Sequence, residues 1–397
     1  MKSHFFRRNR LSLQKALQSQ LIVIDAYTAL QRTNDSSHMF EQEANFWYLT
    51  GVDAPNWRLI IDKDTSYLVA PDVDDIHMIF DGTVSWDQAK QQSGVDKILS
   101  YSDGNKLLQE LATRHSAVYT LDKDPHAEYY DFALNPAPVA LLQYLKKNFS
   151  TVEDCRPALT KLRAIKQPEE IESIRRAVKL TVSGFESSKQ MLDSREYEYQ
   201  IEADFTHYFR SRGASGHAYD PIVASGINAC TLHYGANNTK LHKGQLVLLD
   251  IGARVDGYPA DITRTYQIGE VTARHRQVHS AVETAHHEII ALLRPGVSVR
   301  GYYEQVDIIM KQKISELGLM KSEQDYRKYF PHAISHGLGI DVHDSLGRPD
   351  EFLEGMVLTV EPGIYIPEEG IGVRIEDDIL ITKTGHENLS AALPTSL

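Results

Sequence analysis

Cysteine is nearly absent: the 397 residues contain two, Cys155 and Cys230, far apart and in no CxxC pair. This excludes a disulfide framework and points to a reducing compartment, the cytoplasm. Long apolar runs are missing as well. Leu21-Ile22-Val23-Ile24 is cut short by Asp25, so the basic stretch Met1 to Arg10 is not followed by the core of a secretory leader, and no run approaches a membrane span. Positive charge is in deficit, with 42 Lys and Arg against 54 Asp and Glu and a formal net charge of -12. Binding to a nucleic-acid backbone depends on clustered Lys and Arg, so that class of partner is set aside. Short tandem repeats and low-complexity tracts are lacking too. So are the usual catalytic signatures: there is no GxSxG, P-loop or well-placed GxGxxG, and His287-Glu288 lacks the second histidine of HExxH.

What is present is the composition of a soluble globular protein, 42% hydrophobic and 24% charged, in a chain long enough for two cores. In the first part, strand-like Leu21 to Ile24, Leu59 to Ile61 and Ala117 to Thr120 alternate with helix-like Lys106 to Thr113, which predicts an α/β domain. The pattern changes near Arg156-Pro157. Pro168 opens a helix with Glu169 and Glu170 in its first turn. Helical spacing follows at Arg195 to Arg210, Arg276 to Leu293 and Gly301 to Leu317, with Gly318 as a C-terminal cap. Between the helices lie two strand pairs. Gln245–Val255 and Ala260–Ile268 flank Asp256-Gly257, a strong hairpin signal. Met356–Ile366 and Gly372–Thr382 flank Pro367 to Gly370. Helices set against antiparallel strand pairs predict an α+β domain built on one curved sheet. The boundary is placed at residue 160, giving domains 1–160 and 161–397.

The second domain breaks the apolar pattern of its own strands. Asp250 sits inside Val247-Leu248-Leu249-Asp250-Ile251, and Asp261 lies on the return strand. A two-residue turn at Asp256-Gly257 sets Asp250 opposite Thr263. Asp261 then shares the face of Asp250 as a diagonal neighbour, within roughly 7–8 Å. Glu361 and Glu376 repeat the anomaly in the second pair. One such acid reads as a salt bridge or a turn cap. Four together outnumber the in-strand cations Arg254, Arg264 and Arg374, and buried unpaired carboxylates are too costly to be accidental. His332, His336 and His343 occur among glycines in one short stretch. An imidazole and four carboxylates form a hard donor set suited to pairs of Mn, Co, Zn or Fe ions. Shared carboxylates hold such ions roughly 3.5–4 Å apart, where a bridging water becomes a hydroxide nucleophile. Cys230 beside His233 reads as a small buried thiol rather than a nucleophile.

In these residues the sequence resembles the pita-bread metallopeptidases, and within them the Xaa-Pro aminopeptidases. The ordered set Asp250, Asp261, His336, Glu361 and Glu376 stands in the contexts LLDIGA, ADITRT, SHGLGIDVHD, TVEPGIY and GVRIEDD. Phe46-Trp47-Tyr48-Leu49-Thr50-Gly51 resembles that family's creatinase-like first domain. Methionine aminopeptidases share the catalytic fold and lack this domain; creatinases share both domains and lack the metal set. The resemblance implies a pita-bread catalytic domain after a smaller α/β domain, and two divalent ions, Mn first. It implies that Asp250 binds one ion, Asp261 and Glu376 bridge, and His336 and Glu361 complete the other shell. Glu361 would also be the general base. His233, His332 and His343 match the family's substrate-side histidines, and Arg374 and Tyr365 match partners that orient the acids. The implied substrates are peptides with proline second, and the implied assembly is a homodimer or larger. Two alternatives stay open. Prolidases share the five ligands and cut only dipeptides; Ser335 and the tail Thr384 to Leu389 look more like the aminopeptidase branch. His332-Ala333-Ile334-Ser335 departs from the usual His-Gly-Leu-Ser on the substrate side. A non-catalytic pita-bread binding protein is the other alternative, and such proteins typically lose their metal ligands.

Overall fold

The structure is a computed structural model and describes residues 1–122 and 129–397. It divides into two compact units, Met1–Leu162 and Arg163–Leu397.

The first unit is built on strands β1 (Ile22–Asp25), β2 (Arg58–Asp62), β3 (Thr65–Val69), β4 (Lys97–Leu99), β5 (Ala117–Thr120) and β6 (Thr151–Asp154). They form one sheet in the order β4-β3-β2-β1-β5-β6. β2 runs antiparallel to both neighbours, and the remaining pairs are parallel. Helices Tyr101–Arg114 and Pro136–Asn148 cover it, packing Leu108, Leu111, Leu141 and Leu145 on Val23, Ile60 and Val118. Each such side chain taken fully from water contributes about 1.5–3 kcal/mol. The sequence reading missed the helix Ser3–Ala16. Its basic run hid an apolar stripe of Phe5, Phe6 and Leu13. Arg10, one of the basic residues, is itself buried, donating to Leu49 O at 2.7 Å and Ser93 O at 2.9 Å.

In the second unit the helices fall close to where periodicity put them, at Pro168–Met191, Glu198–Arg210, Ala273–Ile290 and Val299–Glu316. Val278, Val282, Ala285 and Ile289 form the buried stripe of the third, against Met310 and Ile314 of the fourth and the strand residues Leu358, Ile364 and Ile379.

The strand pairs differ from expectation in an instructive way. Three of the four expected strands are broken in the middle, and the fourth, expected to begin at Ala260, is separated by Ala260-Asp261 from a short strand before it. The first pair becomes β7 (Gln245–Ile251) with β10 (Ile262–Ile268), and separately β8 (Ala253–Val255) with β9 (Tyr258–Pro259). The register within β7·β10 is the expected one, with Asp250 opposite Thr263. The break falls at Gly252, where a Cβ would stand 1.9 Å from Ala260 O. Only glycine admits that approach. The second pair becomes β11 (Val357–Val360) with β14 (Asp377–Ile381), and β12 (Gly363–Ile366) with β13 (Ile371–Arg374). Here the breaks are Glu361-Pro362, where proline removes a ladder donor, and Ile375-Glu376. Three of the four anomalous acids therefore lie at or beside breaks rather than inside strands; only Asp250 is within one. With the strands broken at these points, the side chains come together. The two hairpins meet where Glu376 N donates to Thr263 O at 3.0 Å. Among the described residues no helix is long and apolar enough to cross a membrane.

Candidate metal centre

Asp250, Asp261 and Glu376, all buried, bring one ligand atom each (a carboxylate oxygen or a histidine nitrogen) within 4.8 Å of one another; His336, Glu361 and Glu376 do the same, and so do Asp261, His336 and His343. All five residues of the sequence-derived set are thus in one place, with Glu376 common to the first two groups and Asp261 and His336 each common to two.

The elements explain the convergence. Asp250 comes from the end of β7 and Asp261 from the break before β10. Glu361 and Glu376 come from the two breaks of the second hairpin. Burial is the dominant electrostatic fact. It pushes the Glu361 carboxyl up to about 7, against the attraction of His336 and Arg374 and with the repulsion of Asp261 and Asp250. It raises Glu376 well above the usual range, and raises Asp250 despite the neighbouring Arg374.

His336 carries the geometric signature of a ligand. Its Nδ1 lies 3.0 Å from Gly337 O, an acceptor only, so Nδ1 carries the proton. That turns Nε2 toward Asp261 Oδ2 at 3.4 Å and Glu361 Oε1 at 3.6 Å. Burial works to lower this imidazole; the Asp261 hydrogen bond and the two carboxylate charges prevail and raise it to about 9. A group held between carboxylates in this way takes a proton or another cation. The donor set therefore fits divalent ions: four oxygens that cannot share one small volume uncompensated, and an imidazole presenting its free nitrogen.

Arg374 and Tyr365 stand beside the acids as expected. Arg374 Nη2 donates to Asp250 Oδ2 at 2.5 Å, Nη1 to Tyr365 Oη at 3.0 Å and Nε to Thr263 Oγ1 at 3.1 Å. Tyr365 Oη lies 2.8 Å from His332 Nε2, and His332 Nδ1 lies 2.7 Å from Ala333 O. Because Ala333 O only accepts, Nδ1 donates to it and Nε2 accepts from Tyr365. Burial holds His332 neutral, its pKa lowered to about 3. Both nitrogens of this expected substrate-side histidine are thus engaged within the protein. His343 is exposed, its ring 4.1 Å from that of His336 between centroids. His233 is exposed in the loop after the turn Gly226–Cys230. Cys230, half-buried, donates to Ile371 O at 3.4 Å.

The roles of four residues escaped the sequence reading. Tyr219 Oη donates to Asp250 Oδ1 at 2.6 Å, and Thr263 Oγ1 to Glu376 Oε2 at 2.7 Å. Asp378, fully buried, accepts from Asp261 N at 3.1 Å. Glu198, also fully buried, accepts from Ser225 N, Tyr234 Oη and Thr239 N, and so ties down the loop that carries His233. Tyr219 is an ordinary polar residue that nothing in the sequence marks; the sequence places Thr263 opposite Asp250 but does not foretell its bond to Glu376. Glu198 shows only as the first residue of a helix.

The fold and this cluster together define a two-unit hydrolase of the metallopeptidase kind, and the chain belongs to metallopeptidase family M24, whose model matches residues 172–383. A second model, the aminopeptidase P N-terminal domain, matches residues 6–119. Xaa-Pro aminopeptidase of Escherichia coli (strain K12) is 34% identical, over 98% of this chain and 94% of that protein. The enzyme of the same name from Haemophilus influenzae is also 34% identical with the same coverage. Among solved structures, aminopeptidase P from E. coli with the inhibitor Pro-Leu superposes with a TM-score of 0.88 at 33% identity, covering 100% of this chain and 96% of that one. Proline aminopeptidase P II from Yersinia pestis gives 0.86 at 35%, covering 100% and 98%.

Proposed function

We propose that this protein releases the N-terminal residue from peptides with proline in the second position, using two divalent ions held by Asp250, Asp261, His336, Glu361 and Glu376. Mn is the first choice, with Co, Zn and Fe as alternatives of similar donor preference. The observation that carries the reading is the convergence of these five residues, with His336 Nε2 turned into the cluster. Xaa-Pro aminopeptidases among the relatives, matched over nearly the whole chain, support the same substrate class.

Asp250, Asp261 and Glu376 would hold one ion; His336 and Glu361 would hold the other, with Asp261 and Glu376 shared by both. Such a pair supplies Lewis acidity, felt by water and by a carbonyl oxygen. The chain's own residues do the rest. Glu361 lies at the mouth of the cluster with its carboxyl pushed up to about 7, suited to accepting a proton near neutrality and passing it on. The proton's destination is the leaving proline nitrogen. In the peptide that nitrogen is a tertiary amide without N–H, so selection rests on a surface shaped to the ring. His343 and His233, both exposed, would offer N–H donors to the peptide and to the oxyanion as it forms. Arg374, Tyr365 and His332 form a hydrogen-bonded relay that fixes Asp250 at one end and the histidine ring at the other.

We further place the protein in the cytoplasm as a homo-oligomer. Helix Asp75–Asp81 supports self-association, since it buries none of its residues and exposes Ile76, Ile79 and Phe80. Light scattering that gives the mass of a single chain would remove the oligomer. The central test compares an Xaa-Pro dipeptide with an Xaa-Pro-Yaa tripeptide in the presence of Mn. Cleavage of the tripeptide is expected. Cleavage of the dipeptide alone would make the enzyme a dipeptidase, and no cleavage with Mn, Co or Zn would overturn the reading.

A further inference from the structure

The segment after His336 folds back on itself. Asp344 N donates to Gly337 O at 2.8 Å, and Gly339 N to Asp341 O at 3.1 Å. Glycine is demanded at both turns: a Cβ on Gly337 would stand 2.4 Å from Asp344 O, and one on Gly339 1.8 Å from Asp344 Oδ2. The close approach draws the Asp344 carboxylate beneath the segment, where its side chain is 3% exposed. There it meets Arg163 Nη2 at 2.9 Å and Lys166 Nζ at 3.3 Å. Arg163 Nη2 also reaches Asp341 Oδ2 at 2.5 Å. Lys166 has no exposed side-chain surface, and its own N donates to Gly355 O at 2.8 Å. Two cations from one end of the unit thus grip both acids that flank Val342-His343.

Buried ion pairs contribute little net stability, because desolvation offsets most of the attraction. Stability alone is a poor reason for two of them beneath an exposed histidine. What they do fix is a place. The exposed ring of His343 sits 4.1 Å from that of His336, with a nitrogen within 4.8 Å of the ligand atoms of Asp261 and His336. A reacting group misplaced by about 1 Å costs up to about a hundredfold in rate.

We infer that Arg163 and Lys166, acting through Asp344, are positioning residues that hold His343 at the peptide's carbonyl; the inference rests on the proposed peptidase activity. Lys166→Met removes one cation while keeping length, and Lys166→Arg restores it. Both are compared on metal-loaded enzyme with an Xaa-Pro-Yaa substrate, beside His343→Gln and the double variant His343→Gln/Lys166→Met. The readouts are kcat and KM separately, bound metal by elemental analysis, and the His343 ring signals in the NMR spectrum of metal-free protein, assigned by their loss in His343→Gln. Lys166→Met should lower kcat tenfold or more with metal content unchanged, shift the His343 signals, and add nothing in the His343→Gln background. Lys166→Arg should recover most of the loss. Equal factors in both backgrounds, or unmoved His343 signals, would overturn the inference. A His343→Gln enzyme with undiminished kcat overturns the substrate-side role beneath it, whereas a deficient His343→Gln beside an undiminished Lys166→Met overturns the clamp alone. Should Lys166→Met fail to fold, Asp344→Asn carries the same comparisons.

Discussion

In the proposed chemistry Glu361 would both touch an ion and carry a proton, and the two demands pull its carboxyl in opposite directions. Glu361→Gln separates them: the amide keeps the size and one oxygen but cannot accept the proton. Turnover should fall by about 10²–10⁴, while the melting curve and near-UV circular dichroism stay close to wild type; near-normal turnover excludes Glu361 as the base. The histidines separate by metal content. His332→Ala and His343→Ala should each lower turnover, His343→Ala by about 2.7–4 kcal/mol of barrier stabilisation as a lost donor to the oxyanion, while elemental analysis finds metal nearly unchanged. His343 is the sharper case, since its ring nitrogen is within ligand reach of Asp261 and His336; loss of metal from His343→Ala would move it into the ions' shell. His332 acts at one remove, through the Tyr365 hydroxyl that it accepts from.

At the scale of the element, the break in each strand is the device that makes the site. Gly252→Ala tests it directly. The added Cβ would lie 1.9 Å from Ala260 O, which is backbone and cannot swing aside. Relief by moving the strand should cost about 3 kcal/mol and lower the melting temperature by roughly 6–12 °C. Asp261, next to Ala260, should shift with it, so metal affinity read by titration should fall further than stability. A Gly252→Ala protein with unchanged melting and metal binding would show the break to be incidental. The breaks also mark the limit of what sequence reveals. A carboxylate in an apolar strand stands out against the period of two, so Asp250, Asp261, Glu361 and Glu376 were legible as a group, as was the Asp250–Thr263 register. That three of them lie where strands stop was not, because a break leaves the hydrophobic pattern intact on either side. Asp378 was hidden differently. It closes the run Glu376-Asp377-Asp378, and nothing in the sequence tells it from a solvated acid. Both are buried, Asp377 against Arg264 Nη2 at 2.6 Å and Asp378 under the Asp261 N–H. The helix Ser3–Ala16 was missed because charge masked its stripe.

For the whole molecule, four carboxylates in one poorly solvated volume repel one another unless cations compensate them. Ions that bind only the folded chain stabilise it by about 2.7 kcal/mol per site at free metal about 100 times the dissociation constant. Chelation should therefore lower the melting temperature and Mn should restore it. Asp261→Asn should weaken metal binding yet relieve the repulsion, so its metal-free form should melt no lower than metal-free wild type. A wild-type melting curve indifferent to confirmed metal loss would mean that Arg374, Tyr219 and Thr263 suffice to hold the acids. The meeting of the two hairpins also sets an order of events during synthesis. Asp250 and its partner Arg374 are 124 positions apart. At roughly 5–20 residues per second the ribosome needs about 6–25 s to make that stretch. Through that interval half of the centre exists without the other half. A ribosome-stalled chain ending before Arg374 should hold no ion tightly, and metal recovered with such a complex would contradict this. At the proposed site metal capture would therefore come after folding has brought distant parts of the chain together, so that an ion would load onto a folded centre rather than seed it.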